Sequence, residues 1–204
     1  MFAQIIRAKT SDPKALRASL DKWMKDLEPG AKGYLGTTSG VTEQGDVFAL
    51  VRFESEDAAK ANSDRPEQGE WWAEFEKNLD GEATFQDSSE VYVDERGDLD
   101  SAGFVQIMIG ASSDPERTMA LMAENRDARV ALRPDILGQV AVAHGGGKFT
   151  LALYFTSEAE AREGEAKPYP PELEGSLKEV RSLGVGDPEY LNLRTPWLDS
   201  PRSS

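Results

Sequence analysis

Phe2 to Ala8 is a short, mostly apolar run interrupted by Gln4 and Arg7, and it reads as a strand. Phe2, Gln4 and Ile6 share one face of it, and Ala3, Ile5 and Arg7 share the other. Asp12 then caps a helix with Pro13 in its first turn. Leu16, Leu20, Trp23 and Leu27 recur along that helix at the spacing of one face, until Pro29 and Gly30 stop it. Tyr34 to Val41 and Asp46 to Phe53 read as two strands joined by a turn at 43–45. The second is apolar on both faces, the pattern of a strand covered on both sides. Ser55 opens another helix, with Glu56 and Asp57 suited to its positive end. It breaks near Pro66 and resumes through Trp71, Trp72 and Phe75, and a last strand runs from Phe85 to Val93.

The same order returns. Phe2, Gln4, Ile5, Ser11, Asp12 and Pro13 recur as Phe104, Gln106, Ile107, Ser113, Asp114 and Pro115, at an offset of 102. Leu35, Gly36, Gly45, Phe53, Ser55, Glu56 and Ala59 recur at the same offset. Between residues 2 and 61 fourteen positions are identical without a gap, against about four expected from composition, so the chain carries an internal repeat. Strands at 104–111, 136–144 and 148–155, helices from Asp114 and Ser157, and a last strand near 189–193 complete the second copy. The division is a first repeat over 1–93, an acidic linker over 94–101, a second repeat over 102–195 and a loose tail over 196–204.

Strand, helix, strand, strand, helix, strand is the ferredoxin-like order (βαββαβ). The fold class is therefore α+β: two four-stranded sheets, each with helices on one face. The two-sided apolar third strand needs a cover on the open face. The sheet of the other half is the economical one, which predicts a pseudo-twofold dimeric α/β barrel within one chain.

Composition narrows the chemistry. No cysteine is present, which excludes thiolate metal sites and cysteine nucleophiles, and His144 is the one histidine. No metal and no cofactor are expected. The formal net charge of −14 disfavours nucleic acid and anionic membranes as partners. No signal segment and no membrane-spanning run is read, so a cytoplasmic protein is expected, a pseudo-dimer in itself that leaves a further homodimer open.

The run Val47–Ala59, with the aromatic cluster from Glu70 to Phe75, resembles the antibiotic biosynthesis monooxygenase family. The resemblance covers each half in element order. It implies small-molecule chemistry in a pocket between helices and sheet. Some members oxidise polycyclic aromatics without metal or flavin, others degrade haem, and many have no known activity. Cofactor-free members often use an asparagine and a tryptophan on the second helix. Asn62 matches the asparagine, but Trp71 and Trp72 follow nine and ten residues later. Haem-degrading members need an asparagine near the first strand and a histidine; here Gln4 or Arg7 stands in that strand and the first half has no histidine. The resemblance therefore implies a cofactor-independent monooxygenase acting on an aromatic or polyketide-like substrate. A non-catalytic binding or structural barrel is the alternative.

The ligand-binding candidates are Trp71, Trp72, Phe75 and Asn62. The rings either stack on a planar ligand or divide between core and edge. At offset 102 the second half has Leu173, Glu174, Leu177 and Gly164, so one planar phenolic or quinone-like ligand is expected per chain, in the first half. Trp23 is expected in the core. Gln4 and Gln106 are expected to pair across the pseudo-twofold axis, or one of them to line a pocket. Thr118, Met122, Asn125 and Arg129 replace the apolar stripe of the first helix. Either the second copy has a polar pocket, or its helix shifts to turn Leu121 and Val130 inward. His144, beside three glycines, reads as part of a hairpin rather than as a general base.

Overall fold

A computed structural model describes residues 1–201. The described chain forms two compact units: Met1–Val91 together with residues 195–201, and Tyr92–Arg194. The first holds β1 (Phe2–Lys9), α1 (Pro13–Asp26), β2 (Tyr34–Val41), β3 (Asp46–Phe53), α2 (Glu56–Ser63), α3 (Pro66–Phe75) and β4 (Thr84–Ser88). After β5 (Val91–Glu95) come β6 (Phe104–Ala111), α4 (Pro115–Glu124), α5 (Arg126–Leu132), β7 (Ile136–Ala143), β8 (Lys148–Phe155), α6 (Glu158–Glu165), α7 (Pro171–Leu183), β9 (Glu189–Leu193) and β10 (Trp197–Asp199). The sheet orders are β10-β2-β3-β1-β4 and β5-β7-β8-β6-β9.

The repeat is visible in the registers. Phe2 faces Phe53 across β1 and β3, and Phe104 faces Phe155 across β6 and β8. A register shift falls between Tyr34 and Gly36 in one copy and between Ile136 and Gly138 in the other. Gly45 and Gly147 hold positive φ angles of 82° and 77°. Their carbonyls accept from the amides of Thr10 and Ser112, each at 2.9 Å. A Cβ at Gly147 would stand 2.1 Å from the Ser112 carbonyl oxygen, so the strand-to-helix turn passes too close for any side chain.

Helix caps follow the sequence. Asp12 accepts from the amide of Ala15, Ser55 from Ala58 and Asp114 from Arg117. Phe2, Trp23, Leu27, Tyr34, Phe53 and Ala59 pack together between sheet and helices of the first unit. On the opposite face of β1 and β3, Ala3, Ile5, Phe48 and Leu50 are buried too, as the two-sided apolar pattern requires.

The termini of the repeats differ from the sequence reading. The single strand over 85–93 is two strands, β4 and β5, which belong to different sheets. They part at residues 89–90, where the Ser88 hydroxyl at the end of β4 accepts from the amide of Glu90. The stretch 94–101 is not a bare linker. It completes β5, the amides of Arg96 and Gly97 both bond the Leu137 carbonyl at 2.9 Å, and Leu99 is buried. Up to Pro201 the tail is not a loose arm either, because Trp197–Asp199 pairs with β2, and residues 202–204 lie outside the described residues. Such short edge strands owe their form to partners far away in sequence, which local periodicity does not encode.

The repeat also acquires three residues. Five residues, 166–170, separate α6 from α7, where two, 64–65, separate α2 from α3. From Pro66 onward the structural offset is therefore 105. Asp80 donates to the Lys9 carbonyl, and Val185 to that of Ala111, in matching bonds. The counterparts of Trp71, Trp72 and Phe75 are thus Ser176, Leu177 and Val180, not Leu173, Glu174 and Leu177. The polar first helix of the second copy breaks into α4 and α5 at Asn125, with Leu121 buried and Val130 half-buried. Gln4 donates to Asp87 and Gln106 to Asn192, so each glutamine amide is held within its own sheet.

Candidate functional site

Side chains alternate across a strand, so β1 sends Gln4, Ile6 and Ala8 toward the helices while β3 sends Val47, Ala49, Val51 and Phe53. Thr37 and Ser39 of β2 lie beside Val51 and Ala49 on the same face. Above this floor lie α1, α2 and α3. They enclose a cavity of about 330 Å³ within the first unit, inside the range of pockets that take small molecules.

Trp71, Trp72, Phe75 and Asn62, the four residues singled out in the sequence, all line this cavity. Phe75 and Asn62 are buried, and the two tryptophans half-buried. Trp71 and Trp72 stand 4.8 and 5.2 Å from the Phe75 ring, centroid to centroid. Trp71 donates its indole N–H to the Ser19 carbonyl at 2.9 Å, which ties α3 to α1. Trp23 is core, as its stripe predicts, yet it reaches the cavity wall and donates to Gln68 Oε1 at 2.6 Å. Asn62 accepts through Oδ1 from Arg65 Nη1 at 2.9 Å, and the same nitrogen donates to the Leu27 carbonyl. The amide therefore helps hold α2 against the end of α1.

Among the wall residues that escaped the sequence reading are Ser39, Gln68, Phe85 and Trp197. Trp197 lay in the supposed loose tail, and it pairs with Ser39 once β10 joins the sheet. Phe85 was read only as a strand residue, and its ring stands 5.3 Å from Trp72. Ser39 and Gln68 carry no pattern that marks them. Ser39 Oγ is buried and makes no hydrogen bond to the protein.

The wall carries amides and hydroxyls but, among the described residues, no Asp, Glu, Lys, Arg, His or Tyr. Tyr34 lies behind it. Its hydroxyl is 2.7 Å from Thr37 Oγ1 and 2.9 Å from the Asp199 carbonyl oxygen. A carbonyl only accepts, so the Tyr34 hydrogen serves Asp199 and Thr37 is satisfied through the phenol oxygen. Burial pushes the Tyr34 pKa strongly upward, which keeps it protonated. His144, in the other unit, bonds Thr150 Oγ1 through Nε2 at 2.9 Å and has no part in this cavity. No group of three or more potential metal-ligating residues occurs among the described residues.

No protein-family model matches the sequence, and no curated protein matches it. Solved structures do. A candidate monooxygenase from Lactobacillus acidophilus NCFM matches with a TM-score of 0.75 at 13% identity, over 98% of this chain and 96% of that one. A second, from Fusobacterium nucleatum, matches at 0.73 and 9% identity, over 98% and 94%. An anthrone oxidase-like protein matches at 0.66 and 11% identity, over 99% and 94%. At these identities the likeness is one of fold, and it runs nearly the full length of both chains. The chain is a tandem duplication of a ferredoxin-like unit with a monooxygenase-like fold.

Proposed function

We propose that this protein binds a planar, oxygen-bearing aromatic or polyketide-like molecule in the cavity of its first unit and oxygenates it without a cofactor. The observation that supports this most is the character of the wall. Trp71, Trp72 and Phe75 supply flat apolar surface, and the Asn62 amide and the hydroxyls on the floor supply hydrogen bonds. Stacking gives affinity and the polar groups give orientation. The full-length likeness to candidate monooxygenases and an anthrone oxidase-like protein agrees with it. Molecular oxygen is the oxidant: an activated CH2 group becomes a carbonyl, and water is released. With no base on the wall, the substrate must itself lose its proton readily, as a CH2 flanked by a carbonyl and aromatic rings does. The excess of acidic charge accords with a protein of the cytoplasm that has no nucleic-acid partner.

The missing base favours a second reading, binding without turnover. The test is an oxygen electrode with anthrone and the purified protein. Oxygen uptake and quinone formation above the spontaneous rate, lost in the Trp72→Ala variant, support oxygenation. Quenching of tryptophan fluorescence by a hydroxyanthraquinone, without added uptake, supports binding alone. Neither signal would refute both readings.

A further inference from the structure

Trp72 and Phe85 line a second cavity as well as the first. Their rings are tilted at 58° with centroids 5.3 Å apart. The second cavity, about 380 Å³, is bounded otherwise by Glu76, Gly81, Glu82 and Ala83. Glu76 and Glu82 are solvent-exposed, and Phe85 is 50% exposed. The two rings are thus walls common to this exposed space and to the inner cavity. Among the described residues, no lysine, arginine or histidine lines either space.

We infer that the Trp72–Phe85 pair and the carboxylates of Glu76 and Glu82 form an acidic mouth that admits uncharged or cationic planar ligands and refuses anionic ones. This rests on the reading of the inner cavity as the ligand site. Two separate costs act on an anion. At the mouth it meets two carboxylates beside low-dielectric aromatic walls, which concentrate the field. Inside, it must shed water with no cation to pair with. A neutral quinone or phenol meets neither cost. A cation gains at the mouth from the carboxylates and from the ring faces. The net charge of −14 adds repulsion of the same sign from a distance.

The experiment compares anthraquinone with anthraquinone sulfonate, by quenching of tryptophan fluorescence at low salt. The sulfonate should bind about tenfold more weakly or worse, with most of the loss in the association rate. The double variant Glu76→Gln, Glu82→Gln and a rise in salt should each narrow the gap while leaving anthraquinone unchanged. Both glutamates are exposed, and far-UV circular dichroism checks that the variant folds. Equal binding of the two ligands, or a gap that neither change narrows, overturns the acidic mouth while leaving the inner site standing. If neither ligand binds, the inner site falls and the mouth with it.

Discussion

Arg17 of α1 holds Asp199 of β10 through two hydrogen bonds, Nη1 to Oδ2 at 2.8 Å and Nη2 to Oδ1 at 3.0 Å. A three-residue strand has few ladder bonds of its own, so this fork fixes where β10 lies on β2. Trp197 hangs from the same strand, with the Arg17 guanidinium 5.7 Å from its ring centroid. Burial alone would lower the Arg17 pKa, but Asp199 and Asp21 outweigh it and the shift is upward. Asp199→Ala should cost about 1–3 kcal/mol, because a partly buried guanidinium loses its main partner. The urea midpoint reads the loss, and a red shift of tryptophan emission should report Trp197 leaving the cavity wall. An unchanged spectrum would mean that the backbone ladder alone holds β10.

Asn62 carries a structural load besides any contact with ligand. Its Oδ1 receives Arg65 Nη1, and Arg65 has a side chain only 18% exposed. Asn62→Ala should therefore destabilise the fold by about 1–3 kcal/mol, as removal of one partner from a largely buried charged donor does. Asn62→Asp keeps the acceptor and should recover most of the loss. If both variants lose ligand affinity but only the alanine loses stability, the two duties of the amide are separated. Thermal melts with and without a hydroxyanthraquinone supply both numbers.

The sequence revealed most of the fold because the repeat is written in residues whose backbone duty is local. Gly45 and Gly147 are forced by a turn that passes against a carbonyl. Asp12 and Asp114 cap their helices, as do Ser55 and Ser157. These duties depend on near neighbours, so a fixed offset preserves them. The exchange of the short strands β5 and β10 between sheets was hidden, since their partners, β7 and β2, are distant in sequence. The candidate cavity was half visible. An aromatic cluster on one helix can be read directly, whereas Phe85 and Trp197 reach the wall only through strand pairing.

The three added residues before α7 change the control that belongs with Trp72. Its structural counterpart is Leu177, on the corresponding turn of α7. Trp72→Ala should weaken binding of a planar quinone by about 1–3 kcal/mol if the ring stacks on it. Leu177→Ala should leave that affinity unchanged. Isothermal titration of both variants decides it. A loss in the Leu177 variant would show that the second unit also binds.

Acid should destabilise the protein in two steps. Burial lowers the pKa of His144 below its ordinary 6.5, and its Nδ1 has no partner. The unfolded chain therefore takes up the proton first. The contribution of neutral His144 is complete above pH 6.5 and is lost as pH falls from there through the lower folded value. The second step is carboxylic. The Lys9 ammonium holds Asp46 below its ordinary 3.8, and Arg194 holds Glu158 below its ordinary 4.5. Their contributions persist above those values and disappear as pH falls through the depressed ones. His144 is the only histidine, so His144→Gln should flatten the first step and leave the second. Urea midpoints across the range test it, and an unaltered first step in the variant would remove His144 as its source.

Ser39 sits on the cavity floor with its hydroxyl buried and unpartnered by the protein. A buried hydroxyl without a hydrogen bond costs about 1–3 kcal/mol. Removing it should thus leave stability level or raise it, the reverse of the usual effect of trimming a buried side chain. Ligand affinity should move the other way. A quinone or phenol oxygen placed against the floor would give Ser39 the partner it lacks, so Ser39→Ala should weaken such a ligand several-fold. A planar hydrocarbon of the same shape has no oxygen to offer and should bind both forms alike. Calorimetric melting of the two proteins and titration with the matched pair give the required four values. If Ser39→Ala lowers the melting temperature and leaves both affinities alone, the hydroxyl serves the fold and reads no ligand.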